Sequence, residues 1–165
     1  WVLPLDKQAH ATGKPYVFLN GDVAGKFSPD MRWIAYSSSE SGKYEVYVRP
    51  FDANSADGSP PAGGKWQVST AGGGAPRWNT NGKELFYLAS DGATVMAVDL
   101  TAGAVFQPGT PRVLFKPTGL RARPAIGAAW DVSPDGKKFL IPLPAAANAA
   151  TPFNVILNWT SLLKK

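Results

Sequence analysis

The only histidine, His10, lies in the polar stretch DKQAHATGK, and the 165 residues contain no cysteine. A zinc or iron site built from imidazole and thiolate therefore lacks its ligands, and the residue reads as a solvated loop histidine. Serine chemistry fares no better, because a Ser-His-Asp hydrolase needs a Gly-x-Ser-x-Gly elbow or its equivalent, and none is present. Ser28 and Ser133 belong to turns. Asp30 and Asp135 have the chemistry of paired carboxylates or calcium ligands, but they occupy equivalent turns of separate repeats, which holds them apart. Turn capping explains them better. TAGGGAP, from Thr70, has three glycines but neither the spacing of a phosphate loop nor a following helix, so it reads as a connection. The chain is expected to have no catalytic residue, no metal ligand and no cofactor.

The elements that would position any site come from a repeat. FSPDMRWIAYS from Phe27 and VSPDGKKFLIPL from Val132 share a Ser-Pro-Asp turn, and WNTNGKELFYLAS from Trp78 is a degenerate third copy. Ser28, Asn79 and Ser133 stand 51 and 54 residues apart. In such a turn Ser or Asn bonds the backbone ahead, Pro presets φ, Asp or Asn accepts the bend, and Gly takes the positive-φ position. The structural turn set is thus Ser28, Pro29 and Asp30; Asn79, Asn81 and Gly82; and Ser133, Pro134, Asp135 and Gly136. Met31 stands where the other two copies have Gly82 and Gly136, so the first turn needs another geometry or accepts strain.

Strand formers follow each turn: Arg32 to Ser37, Glu84 to Ala89 and Lys138 to Leu143. A second series runs Tyr44 to Val48, Thr94 to Leu100 and Asn154 to Trp159, and KWQVST from Lys65 and PRVLF from Pro111 supply outer strands. The opening WVLPL and KPYVFL read as the last strands of a preceding unit. A period near 50 residues with four antiparallel strands per repeat points to propeller blades. The fold class is all-β: a β-propeller fragment of about three four-stranded antiparallel blades. Its divisions are a half blade at 1–20, blades at 27–70 and 76–116, and a last blade at 128–162. PAAANAATP, from Pro144, is Ala-rich but bracketed by prolines and reads as a loop.

Composition agrees with one globular core, with 44% hydrophobic residues, 17 Gly and 15 Pro. The net charge of +5 is spread along the chain rather than gathered in a stripe, which argues against a nucleic-acid surface. No apolar stretch has the length of a membrane span. The start has no secretory signature, as expected of a chain that begins inside a structure.

GGKWQVSTAGGGAPRWNTNGKELFYLASDG, FQPGTPRVLF, WDVSPDGKKFL and NWTSLLKK, with the first repeat, resemble the C-terminal TolB-like propeller of many bacterial transmembrane serine/threonine protein kinases. The resemblance implies a six-bladed ring, an extracytoplasmic location, and a sensing or protein-contact role, with catalysis in a kinase domain elsewhere. Alternatives are the propeller of a prolyl-oligopeptidase-like peptidase and a TolB-type periplasmic scaffold. No kinase motif lies in this chain.

In a propeller the loops entering the inner strands form a rim where ligands dock. Arg77, Arg121, Arg123 and Trp130 are the candidate rim or channel residues, with ordinary rim charge as the alternative. The six tryptophans fit inter-blade packing better than a stacking surface. Asn158 heads a formal glycosylation triplet that says little at the end of a strand. The expected partner is an unknown protein or small-molecule ligand, and no nucleic acid. A homodimer closing the ring is a further expectation, since a stack of about three blades exposes its end faces.

Overall fold

The hydroxyl or amide at the head of each turn closes it. In the computed structural model, Ser28 Oγ donates to Asp30 at 2.6 Å and accepts from the Trp33 N–H at 2.9 Å. Ser133 repeats both bonds with Asp135 and Lys138. In the degenerate copy the Asn79 carboxamide oxygen accepts from the Asn81 N–H, while its Nδ2 donates to Glu84 at 3.0 Å. Gly82 and Gly136 take φ values of 69° and 70°. Met31 adopts 57° in the same place, so the first turn keeps the geometry and accepts the strain. The description covers residues 1–19, 25–52, 55, 64–102, 106–122 and 130–143.

Each turn joins a short strand to the next in one register. β1 (Gly25–Phe27) pairs with β2 (Trp33–Ser38) through Phe27 and Ile34. Strand β5 (Gly73–Trp78) meets β6 (Glu84–Ala89) through Trp78 and Leu85, and β10 (Asp131–Val132) meets β11 (Phe139–Leu140) through Val132 and Phe139. The offset is seven residues in all three. The first sheet continues to β3 (Glu45–Pro50) and β4 (Trp66–Gln67). In the second, β7 (Val95–Ala102) follows β6 and pairs with both β8 (Phe106–Pro108) and β9 (Arg112–Phe115). All pairings are antiparallel, and no helix occurs among the described residues.

The end of TAGGGAP is a correction to the sequence reading: it is not a connection but most of β5. A Cβ on Gly73 would lie 2.7 Å from the Leu88 carbonyl and the Tyr87 ring, so only glycine lets this strand approach its neighbour. The register shifts between Gly74 and Arg77, where Ala75 takes φ 52° and Pro76 needs no ladder donor. Two strands are shorter than read: KWQVST contributes only Trp66–Gln67, and KFLIPL only Phe139–Leu140. The opening segments, read as strands, form two isolated antiparallel bridges, Val2 with Tyr16 and Leu5 with Ala11. Pro4 and Pro15 interrupt the donors that a ladder requires. The strand read at Asn154–Trp159, the Pro144 loop and most of the loop after Asp52 lie outside the described residues.

Partial alternation in the strands has a simple cause: both faces are buried. Trp33 and Ala35 of β2 join Val46, Val48 and Val68 against Trp78, Leu85, Tyr87, Val98, Leu100 and Phe106 of the second sheet. The alternate residues Ile34 and Tyr36 turn the other way, onto Tyr47, Phe51 and Phe18, with Val2 and Tyr16 at the edge. The second sheet likewise turns Phe86, Leu88, Val95 and Ala97 toward Trp130, Val132 and Phe139. The sheets therefore stack face to face, and β5 touches β1 on one side and β10 on the other.

Candidate functional site

Tryptophan N–H groups stitch these inner strands together. Trp78 Nε1 donates to the Lys26 carbonyl and Trp130 Nε1 to the Ala75 carbonyl, both at 3.0 Å. The structure brings two of the four candidate rim residues together within this stitching. Arg77 Nε donates to the Trp130 carbonyl at 3.0 Å and Nη1 to the Pro76 carbonyl at 2.8 Å. Its guanidinium lies 5.5 Å from the Trp130 ring centre and 3.7 Å from the Asp131 carboxylate. Burial pushes the Arg77 guanidinium below its ordinary value, against the opposing charge of Asp131. Trp130 is only 3% exposed and stacks on Phe139.

Arg77 and Trp130 thus form a clasp between the second and third sheets. Arg121 is exposed and, among the described residues, makes no hydrogen bond or ion pair. Arg123 lies outside the described residues. Arg77→Ala removes charged donors from two carbonyls, so it is expected to destabilise the fold by about 2 kcal/mol. Urea denaturation checks this; unchanged stability would return Arg77 to the role of a free rim charge.

A groove lies elsewhere, on the face formed by the turns. Ser28, Pro29 and Asp30 of the first turn and Thr80, Asn81, Gly82 and Lys83 of the second, together with Trp33, Trp78, Leu100 and Thr101, line a groove of about 540 Å³. Asp30 is held within its own wall. Partial burial pushes its carboxyl up, but the Ser28 hydroxyl and the Arg32 N–H and guanidinium outweigh this and keep it below the usual range. The next gap is closed, because Thr80 Oγ1 donates to the Pro134 carbonyl and Asn79 lies against Gly136. A Cβ on Gly136 would come within 2.4 Å of the Asn79 amide nitrogen.

Two donors at the groove wall lack protein acceptors among the described residues, one exposed on the wall and one buried behind it. The Lys83 side chain is exposed and makes no ion pair among the described residues, and the buried Trp33 Nε1 has no hydrogen-bond partner. Sequence reasoning took the turn residues as purely structural and missed Lys83 and Trp33. The available signal was modest: each turn is followed by a basic residue, Arg32, Lys83 and Lys137. Among the described residues no cluster of His, Cys, Asp and Glu could hold a metal ion.

Successive antiparallel sheets, each entered through an inner strand and the same turn and packed face to face, define the class: the chain is all-β and its sheets are β-propeller blades. No family model matches the chain, and no curated protein does. Among solved structures it is similar to the crystal structure of TolB from Acinetobacter baumannii, at 18% identity and a TM-score of 0.36. The match covers 75% of this chain and 39% of that one, so the chain spans well under half of that protein's length. The blade assignment rests on the registers and interfaces described above.

Proposed function

We propose that this chain is a non-catalytic binding propeller, the extracytoplasmic sensor region of a bacterial receptor-type serine/threonine kinase. The observation that carries the binding role is the open groove between the first two turns, set beside the closed gap between the second and third. Equivalent turns pack tightly in one case and leave a space lined by both polar and apolar side chains in the other. Such a space, held by rigid sheets, suits recognition. The kinase context and the extracytoplasmic location rest on the sequence resemblance, and any phosphoryl transfer belongs to another part of the parent protein.

The parent gene tests the context. A kinase domain and a membrane-spanning segment encoded upstream are expected, and a hydrolase domain encoded downstream would overturn it. The binding role is tested on the chain itself: in nitrogen-15 correlation spectra a library of small polar molecules and short peptides is expected to shift the backbone signals of Asp30, Thr80 and Asn81, and silence of all three would overturn it.

A further inference from the structure

We infer that Asn81 is a self-modification site gated by its own turn: its side chain closes on the Gly82 nitrogen and loses ammonia only when the turn between β5 and β6 opens. The inference is independent of the binding reading and goes beyond it. The chemistry belongs to the Asn-Gly pair. The Gly82 nitrogen attacks Cγ of the Asn81 carboxamide and gives up its proton, the side-chain nitrogen leaves as ammonia, and a cyclic succinimide forms. Water then opens the ring at one carbonyl or the other, giving aspartate or isoaspartate at this position. Glycine suits the attack because it has no side chain to crowd its nitrogen.

The folded turn holds both reacting groups back. The Gly82 N–H donates to the Asn79 carbonyl at 2.9 Å, which engages the nucleophile. Asn81 Oδ1 accepts from the Lys83 N–H at 2.8 Å, which ties the carboxamide to the backbone beyond the glycine. Ring closure has to break both bonds. Steric cover plays no part among the described residues, since Asn81 is exposed and a Cβ on Gly82 would meet nothing within 4 Å beyond its chain neighbours. The third turn differs, because its Gly136 lies against the Asn79 amide. With hydrogen bonds as the guard, the reaction rate follows the population of the opened turn.

The two products have different consequences for the fold. Aspartate is what the other turns already carry in this place, where Asp30 and Asp135 each accept from the N–H two residues on, as Asn81 does. It keeps the turn and adds a carboxylate to the groove that Asn81 and Lys83 line. Isoaspartate instead routes the backbone through the side-chain carbon, lengthening a turn across which Trp78 must face Leu85. That product is expected to loosen β5 from β6.

The test incubates the full chain at mildly alkaline pH, folded and in concentrated guanidinium, and reads the amide-to-acid mass gain at Asn81 by peptide mass spectrometry. Asn20–Gly21, the other Asn-Gly pair of the sequence, calibrates the unfolded rate. In guanidinium the two asparagines are expected to react at comparable rates. In the folded chain Asn81 is expected to slow by at least about tenfold, by the same factor as the hydrogen-exchange protection of the Gly82 N–H, because both need the same opening. Asn81→Gln, which closes a larger ring far more slowly, is expected to abolish the gain.

Equal rates at Asn81 in the folded and unfolded chain, or a slowing that departs from the Gly82 protection, would overturn the gate. An Asn81 that stays inert in guanidinium while Asn20 reacts would overturn the site. So would a mass gain in the same peptide that persists in Asn81→Gln.

Discussion

Phe106→Ala is expected to destabilise the protein by about 3–5 kcal/mol and to lower the midpoint of thermal unfolding by roughly 10 °C. Phe106 is fully buried, and its ring meets three tryptophans, with centroids 5.2 Å from Trp33, 5.5 Å from Trp66 and 6.5 Å from Trp78. Two of these belong to the first sheet and one to the second, so Phe106 plugs the seam between two blades. Truncation removes its transfer energy and leaves a cavity that three large rings on fixed strands cannot easily fill. Phe106→Leu retains most of the volume and is expected to lose less than half as much. Calorimetry on the three proteins checks the order, and an alanine variant as stable as the parent would show that the sheets do not meet there.

The second large effect is electrostatic in origin. Glu45 begins β3 with its side chain wholly buried. It accepts from the Ser69 hydroxyl and from the Gly72 N–H at 3.0 and 3.1 Å, and the Lys43 ammonium reaches it at 3.0 Å. Ser69 Oγ in turn accepts from the Val46 N–H at 2.7 Å, and the Gly73 N–H donates to the Tyr44 carbonyl at 2.9 Å. The carboxylate thus anchors the segment that leads from the first blade into β5. Glu45→Ala leaves the Ser69 hydroxyl and Gly72 N–H buried without their acceptor and is expected to cost about 2–4 kcal/mol. Glu45→Gln, which keeps one acceptor oxygen, is expected to recover part of that. Urea denaturation separates the cases, and a loss below about 0.5 kcal/mol in Glu45→Ala, the range of an ordinary surface substitution, would contradict the anchor.

The strands after each turn were legible because the turn chemistry is local. Ser28, Asn79 and Ser133 bond groups within five residues of themselves, and the strands that follow are rich in β-branched and aromatic residues. The inner strands were not legible. Gly73, Gly74 and Pro76 carry loop signals, yet they form β5 because the crowded approach to Leu88 and Tyr87 requires glycine and the bulge tolerates proline. β10 is only two residues long, too short for any periodicity.

The site was less legible than the fold, for a related reason. Arg77 reads as exposed charge until its partner Trp130, 53 residues away, is brought beside it. The groove arises from the relative placement of two turns, where the next pair is drawn together by the bond of Thr80 with Pro134. Such differences between equivalent turns depend on how the sheets pack, which no short window of residues specifies.

The central claim is that consecutive sheets meet through their inner strands, since that packing creates both the clasp and the groove. Proton–proton Overhauser spectroscopy on the full chain tests it most directly. Cross-peaks are predicted from the Trp78 indole N–H to the backbone protons of Lys26 and Phe27, and from the Trp130 indole N–H to those around Ala75. A folded spectrum in which both indole protons contact only residues of their own sheets would contradict the account.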